Sequence, residues 1–188
     1  MKSSASDIQL IDRIMSGDPS AHRDLVDRHK QYAFTIAFRI LRNRENAEEA
    51  AQDAFMQAFK NLSSFSRESK FTTWFYRIVF NAALMAKRRE KTAAQDLDTV
   101  RGIPSEGGAA DETKRHERQF HIHEALQRLQ PQDAAILTLF YMREHSLEEI
   151  AEITGTSASN AKVRLHRARQ RMAQELDGLL KTEARDLL

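Results

Sequence analysis

The 188-residue chain contains no cysteine. Disulfides and thiolate-held metals are therefore excluded, and the composition fits a reducing compartment such as the cytoplasm. Only three prolines occur, at breaks in the hydrophobic pattern, as an all-helical chain would place them. Up to Lys91 nothing alternates as a half-buried strand does. No apolar run approaches the length of a membrane span, and the N-terminus has no apolar signal core. A soluble, cytoplasmic chain without membrane insertion is expected. Neither a phosphate-cradling glycine loop nor a nucleophile–base pairing is evident, so no enzyme activity and no cofactor are expected. His116, His121 and His123 cluster without any cysteine, and an i, i+2 pair does not share a helix face, so no metal site is expected. One-sided charge is lacking too, since the formal net charge is only +2.

The distribution of that charge is more informative than its sum. Basic residues are in excess before residue 93, acidic ones prevail over 93–114, and the remainder is balanced. The balance of the final third conceals a separation. Glu144, Glu148, Glu149 and Glu152 precede Lys162, Arg164, Arg167, Arg169 and Arg171. A basic face suited to phosphate can thus sit beside an acidic one.

Helical periodicity is plain. It runs over Asp7 to Met15, from Pro19 to about Leu41, from about Arg44 to Leu62 and from about Phe71 to Glu90. Between 93 and 114 glycine, proline and small polar residues replace it, as in a linker. Fully extended, such a segment reaches about 70–80 Å, so the flanking parts need not touch. Helices resume from Arg115. The expected architecture is all-α: a helical bundle over 1–92, a flexible linker over 93–114 and a second helical domain over 115–188.

That second domain carries SLEEIAEITGTSASNAKVRLHRARQRM (146–172). Ser146 followed by Glu149 has the capping-box spacing. Gly155 suits a turn that needs positive φ, and Ser157 can cap the helix that follows. In that helix Ala161, Leu165, Ala168 and Met172 form one apolar stripe, and the basic residues point away from it. Two short helices, a glycine turn and a basic second helix are the pattern of a DNA-reading helix–turn–helix. Its N-terminal turns meet base edges, which nominates Ser159, Asn160, Lys162, Val163 and Arg164 as readers. Arg and Lys match guanine, Asn matches adenine, and Val packs on a thymine methyl. Ser157 and His166 flank this set, and Arg167, Arg169 and Arg171 are assigned to phosphates or neighbouring acids.

A second constellation lies at 61–90. A polar loop with Phe65 and Lys70 leads into a helix bearing Trp74, Arg77 and Asn81, then Lys87 and Arg88. Aromatic faces stack on unpaired bases, amides bond their edges, and cations hold the backbone. Each aromatic has an ordinary core reading as well; the nucleic-acid case rests on their combination.

The stretches AEEAAQDAFMQAF (47–59), SSF (63–65) and FTTWFYRIVFNAA (71–83) resemble the second conserved region of bacterial sigma factors. Residues 124–173, with HRAR at 166–169, resemble the fourth. With only a short linker between them, the chain resembles the extracytoplasmic-function (ECF) type. That resemblance implies a factor that binds core RNA polymerase and directs promoter recognition, strand opening and initiation. It implies docking of Glu48, Glu49, Gln52 and Asp53 on the clamp coiled coil of the largest polymerase subunit, and a further contact with the flap. It assigns Phe65, Lys70, Trp74, Arg77, Asn81, Lys87 and Arg88 to the −10 element. Ser157, Ser159, Asn160, Lys162, Val163, Arg164, His166 and Arg167 go to the −35 element. An anti-sigma protein, able to hold the chain at the membrane, is also implied. Asn160-Ala161 stand where the family often has Thr-Val, and Val163 where it often has Ser, so the −35 sequence does not transfer. Phe59 replaces a common Trp. The alternative reading is a free-standing helix–turn–helix regulator.

Overall fold

The computed structural model describes the backbone at 6–93 and 110–186, and side chains at 6–90, 92 and 118–181. Most of the expected linker, 94–109, lies outside the described residues. Among those residues every regular element is helical. In chain order they are α1 (Asp7–Met15), α2 (Pro19–Leu41), α3 (Arg44–Lys60), a 3-10 turn (Leu62–Ser64), α4 (Phe71–Ala93), α5 (Ala110–Arg128), α6 (Pro131–Arg143), α7 (Leu147–Thr154) and α8 (Ala158–Asp186). Helix α5 starts at Ala110, five residues before the periodicity suggests.

Local chemistry accounts for the boundaries. A capping box of Ser6 and Gln9 opens α1, and Asp18 with Pro19 opens α2. Asn43 accepts from the Asn46 N–H to open α3. Arg42 closes α2 and Glu144 closes α6, each in the left-handed region with φ of 58° and 51°. Ser146 and Glu149 form the expected capping box of α7, and Gly155, at φ 66°, ends it. Such side-chain caps satisfy amide groups that the first turn of a helix leaves without partners.

Helices α2, α3 and α4 pack against one another around Leu25, Ile36, Ala54, Phe55, Phe75 and Phe80, and α1 lies on α2 through Leu10 and Ile11. In the C-terminal part α6, α7 and α8 surround Ile136, Leu139, Ile150, Leu165 and Ala168, with α5 against α8. The two parts touch. Helix α4 lies along α7 and α2 along α6, so that one continuous apolar core runs from Leu10 to Ala168. This answers the expectation that the flanking parts need not meet: in this structure they form one packed body.

Candidate nucleic-acid and polymerase interface

The C-terminal site begins with the turn. Gly155 redirects the chain between α7 and α8, and Ser157 Oγ accepts from the Asn160 N–H at 3.2 Å to open α8. Ala161, Leu165 and Ala168 are buried and Met172 half-buried, so the expected inward stripe is the observed one. Ser157, Ser159, Asn160, Lys162, Val163, Arg164, His166 and Arg167 are all exposed. Val163, 45% exposed, is an apolar side chain at the centre of a polar face, where a thymine methyl would offer it a partner.

The five bases between Lys162 and Arg171 of α8 are not equivalent. Arg164, exposed, donates to Oε1 of half-buried Gln132 at 2.6 Å. Arg171 donates to Asp133 Oδ2 at 2.6 Å, and Asp133 is buried. The Arg169 guanidinium lies 4.6 Å over the Phe140 ring and 5.4 Å over Tyr141. Arg169 and Arg171 therefore hold α8 onto α6, the neighbouring-acid role in the case of Arg171. Lys162 and Arg167 point outward from the same helix and are exposed.

At the N-terminal site, α4 sets Trp74, Arg77, Asn81 and Arg88 at helical spacings that share one face. Arg77, Asn81 and Arg88 are exposed and Trp74 half-buried. Trp74 sits 5.3 Å from the Phe65 ring and 5.8 Å from Phe71. Phe65 itself is buried, at 7% exposure, so in this structure it supports Trp74 from below. Lys87 is engaged within the fold: its Nζ lies 2.9 Å from Glu90 Oε2 and donates to the Leu41 carbonyl at 3.4 Å. Lys70 extends from the loop to Glu149 of α7, with Nζ and Oε1 2.7 Å apart. Arg67 in the same loop, at φ 65°, is paired with Asp12 of α1.

On α3, Glu48, Glu49 and Gln52 are exposed and Asp53 is half-buried. Glu48 pairs with Arg44 at 2.9 Å along the helix. Met56, 66% exposed, continues this face at i+7 from Glu49 and i+4 from Gln52. It is absent from the set inferred from sequence. Its signal is an apolar residue at the position where the polar stripe continues.

Buried polar groups lie between the two sites. Tyr32 donates to the Thr138 carbonyl at 3.3 Å, and His29 Nδ1 is 2.9 Å from the Tyr76 hydroxyl. Burial pushes both tyrosine hydroxyls well above their ordinary pKa. The ring of His145 lies 5.8 Å from Tyr76 and 6.3 Å from Tyr32. Burial drives its imidazole pKa down, and the Glu149 carboxylate only partly opposes this. For Glu149, burial raises the pKa, but the Lys70 ammonium and the Ser146 N–H outweigh it and hold the group below the usual range.

The last forty described residues thus contain a helix–turn–helix module with its reading face open, carried on an all-helical chain with a second, aromatic and amide-bearing face. The Sigma-70 region 2 model matches residues 25–93 and the Sigma-70 region 4 model residues 120–172. The chain belongs to the ECF RNA polymerase sigma factors. It is 30% identical over 179 residues to the ECF RNA polymerase sigma factor SigW of Bacillus subtilis, covering 90% of this chain and 96% of that protein. It is 32% identical over 178 residues to the ECF sigma factor SigM of Mycobacterium tuberculosis H37Rv, covering 94% and 87%. The fold resembles that of CnrH in its complex with the cytosolic domain of CnrY, with a TM-score of 0.64, 22% identity, and 92% and 97% of the two chains covered. It also resembles the sigma factor RpoE bound to the anti-sigma factor NepR from Bartonella quintana, with a TM-score of 0.67, 22% identity, and 82% and 96% covered. Family membership disfavours the free-standing regulator. No helix among the described residues is long and apolar enough to cross a membrane.

Proposed function

We propose that this sigma factor acts through three separate faces. The 1–92 part docks on core polymerase through Glu48, Glu49, Gln52 and Asp53 of α3, against the clamp coiled coil, and holds the opened −10 strand with Trp74, Arg77, Asn81 and Arg88. Lys70 and Lys87 supply charge beside that strand, and Phe65 supports the aromatic platform. The 115–188 part reads the −35 element with Ser157, Ser159, Asn160, Lys162, Val163, Arg164, His166 and Arg167, and contacts the flap. The 93–114 segment joins them. The chain works in the cytoplasm, with an anti-sigma protein as its regulator. It contributes binding energy, while bond formation belongs to the polymerase.

The observation that carries this reading is the exposure of both sets of groups on separate helices. The outer face of α8 is open from Ser157 to Arg167, and α4 presents Arg77 and Asn81 to solvent. An amide and a cation on an exposed face can meet an unstacked base and its phosphate. The test is footprinting on duplex promoter DNA by core polymerase with and without the chain. Protection of both elements and permanganate-reactive −10 thymines should appear only with the chain present. Protection that does not depend on the chain would refute the reading.

A further inference from the structure

Helix α1 precedes the region 2 match at 25–93, and none of the groups assigned above to DNA or polymerase lies on it. It is nevertheless firmly seated. Leu10 and Ile11 are buried against α2. Asp7 accepts from Arg28 Nη1 at 2.7 Å and lies 3.1 Å from His29 Nε2. His29 is itself buried, with its ring 5.6 Å from Phe71 and 6.0 Å from Phe75 in the first turns of α4. At the other end of α1, Arg13 pairs with Asp18 at 2.7 Å. A nine-residue helix is marginal by itself, so this packing is what keeps it formed. Held at both ends, it is a rigid mount for its open face.

That open face carries Asp12, and Asp12 pairs with Arg67. Arg67 belongs to the loop between the 3-10 turn and α4, where its backbone is left-handed at φ 65°. A residue with a Cβ is disfavoured there and persists where its surroundings hold it. Among the described residues, 66–69 make one polar side-chain contact to another helix, and it is this pair. Groups assigned to the −10 strand flank the loop on both sides. Phe65 precedes it, buried beneath Trp74, while Trp74 and Arg77 follow it in the first two turns of α4.

We infer that Asp12 is a positioning residue for strand opening: it holds Arg67, and through Arg67 the 66–70 loop, in the shape that meets the displaced −10 strand. This role rests on the sigma-factor reading above and brings α1 into it. The sign of the charge separates positioning from contact. An acid repels phosphate, so Asp12 adds nothing to DNA binding directly, and by charge alone its removal would strengthen binding. A positioning role has the opposite consequence. The pair is half open to solvent, with the Asp12 side chain 53% and that of Arg67 49% exposed, so its effect is a shift of about two- to five-fold rather than an outright loss.

The test uses the full chain with core polymerase on a duplex promoter carrying both elements. Asp12→Asn should slow the appearance of permanganate-reactive −10 thymines by about two- to five-fold. The thermal midpoint and −35 duplex binding should stay at their wild-type values, and a premelted template should recover part of the loss. Arg67→Gly suits the positive φ and removes the side chain. In that background Asp12→Asn should have no further effect, because the two act as one pair. Any direct contact of Arg67 with DNA is absent from both members of that comparison and drops out. Opening by Asp12→Asn at or above the wild-type rate overturns the role. So does an additive loss in the double variant, a loss shared equally by duplex and premelted templates, or one that accompanies a fallen midpoint. Failure of the sigma-factor reading itself shows differently, as no chain-dependent opening by the wild type.

Discussion

Lys70 Nζ lies 2.7 Å from Glu149 Oε1, while the other carboxylate oxygen of Glu149 accepts from the Ser146 N–H at 2.9 Å. One side chain therefore caps the first helix of the helix–turn–helix and ties it to the loop that enters α4. Glu149→Gln keeps an acceptor for the cap and loses the charge. Glu149→Ala loses both. The expected destabilisation is at most about 1 kcal/mol for Gln and ~1–2 kcal/mol for Ala, measured by urea unfolding. Equal losses would mean that the cap contributes nothing.

The arginines of α8 should fail in different ways. Arg164 bonds to half-buried Gln132 at the surface, and is free to turn towards a base. Arg164→Ala should weaken discrimination at one −35 position by ~1–3 kcal/mol and leave unfolding unchanged. Arg171→Ala leaves the buried Asp133 carboxylate without its partner, so it should cost ~1–3 kcal/mol of stability. Binding to mismatched and matched −35 duplexes, beside urea titrations of each variant, separates the two. A loss of −35 discrimination at full stability in Arg171→Ala would reverse these roles.

On the −10 side, Asn81→Ala should leave −35 binding intact and impair strand opening. The amide is exposed and can engage the pairing edge of a flipped base, which a closed duplex hides. A premelted template should restore part of the lost initiation. Phe65→Ala is a poorer probe, because the ring is buried against Phe71 and Trp74. Its loss should cost ~3–5 kcal/mol of stability. Permanganate reactivity of −10 thymines checks Asn81→Ala; wild-type reactivity would remove Asn81 from the opening step.

Acid should loosen the contact between the two parts. Burial holds His145 below its ordinary pKa of 6.5, with Arg143 and Lys70 lowering it further and Glu149 opposing. Tyr32 and Tyr76 enclose the ring from α2 and α4. Burial lowers His123 too, beside Arg39. A base with a lower pKa in the folded chain takes up its proton more readily once exposed. Its contribution is therefore complete above 6.5 and is lost as the pH falls through the lowered values. Asp7 and Glu149, held below the usual carboxylate range, act in the same direction only at lower pH. The thermal midpoint should drop between pH ~7.5 and ~5.5, and His145→Gln should flatten that drop.

What the sequence discloses and what it conceals divide by range. Ser146, Glu149, Gly155 and Ser157 are legible because a cap and a turn are settled within four residues. The stripe Ala161, Leu165, Ala168 is legible because a helix repeats at a known angle. The capping box of Ser6 and Gln9 has the same spacing as that of Ser146 and Glu149 and is equally readable. Contacts across long separations are not. Nothing local links Arg171 to Asp133, Arg169 to Phe140, or Lys70 to Glu149. Phe65 illustrates the ambiguity of aromatics: the ring that suits base stacking equally suits a hydrophobic core, and here Phe71 and Trp74 take it. The start of α5 at Ala110 is hidden because small and polar residues carry no apolar period.

The most direct test of promoter-directed initiation is run-off transcription from a promoter library by core polymerase, with and without the chain. Initiation is expected only with the chain, at templates sharing two spaced elements, and should be abolished by Glu49→Lys on the exposed α3 face. The contradicting result is no chain-dependent initiation at any template, together with tight, specific footprinting of duplex DNA by the chain alone at physiological salt.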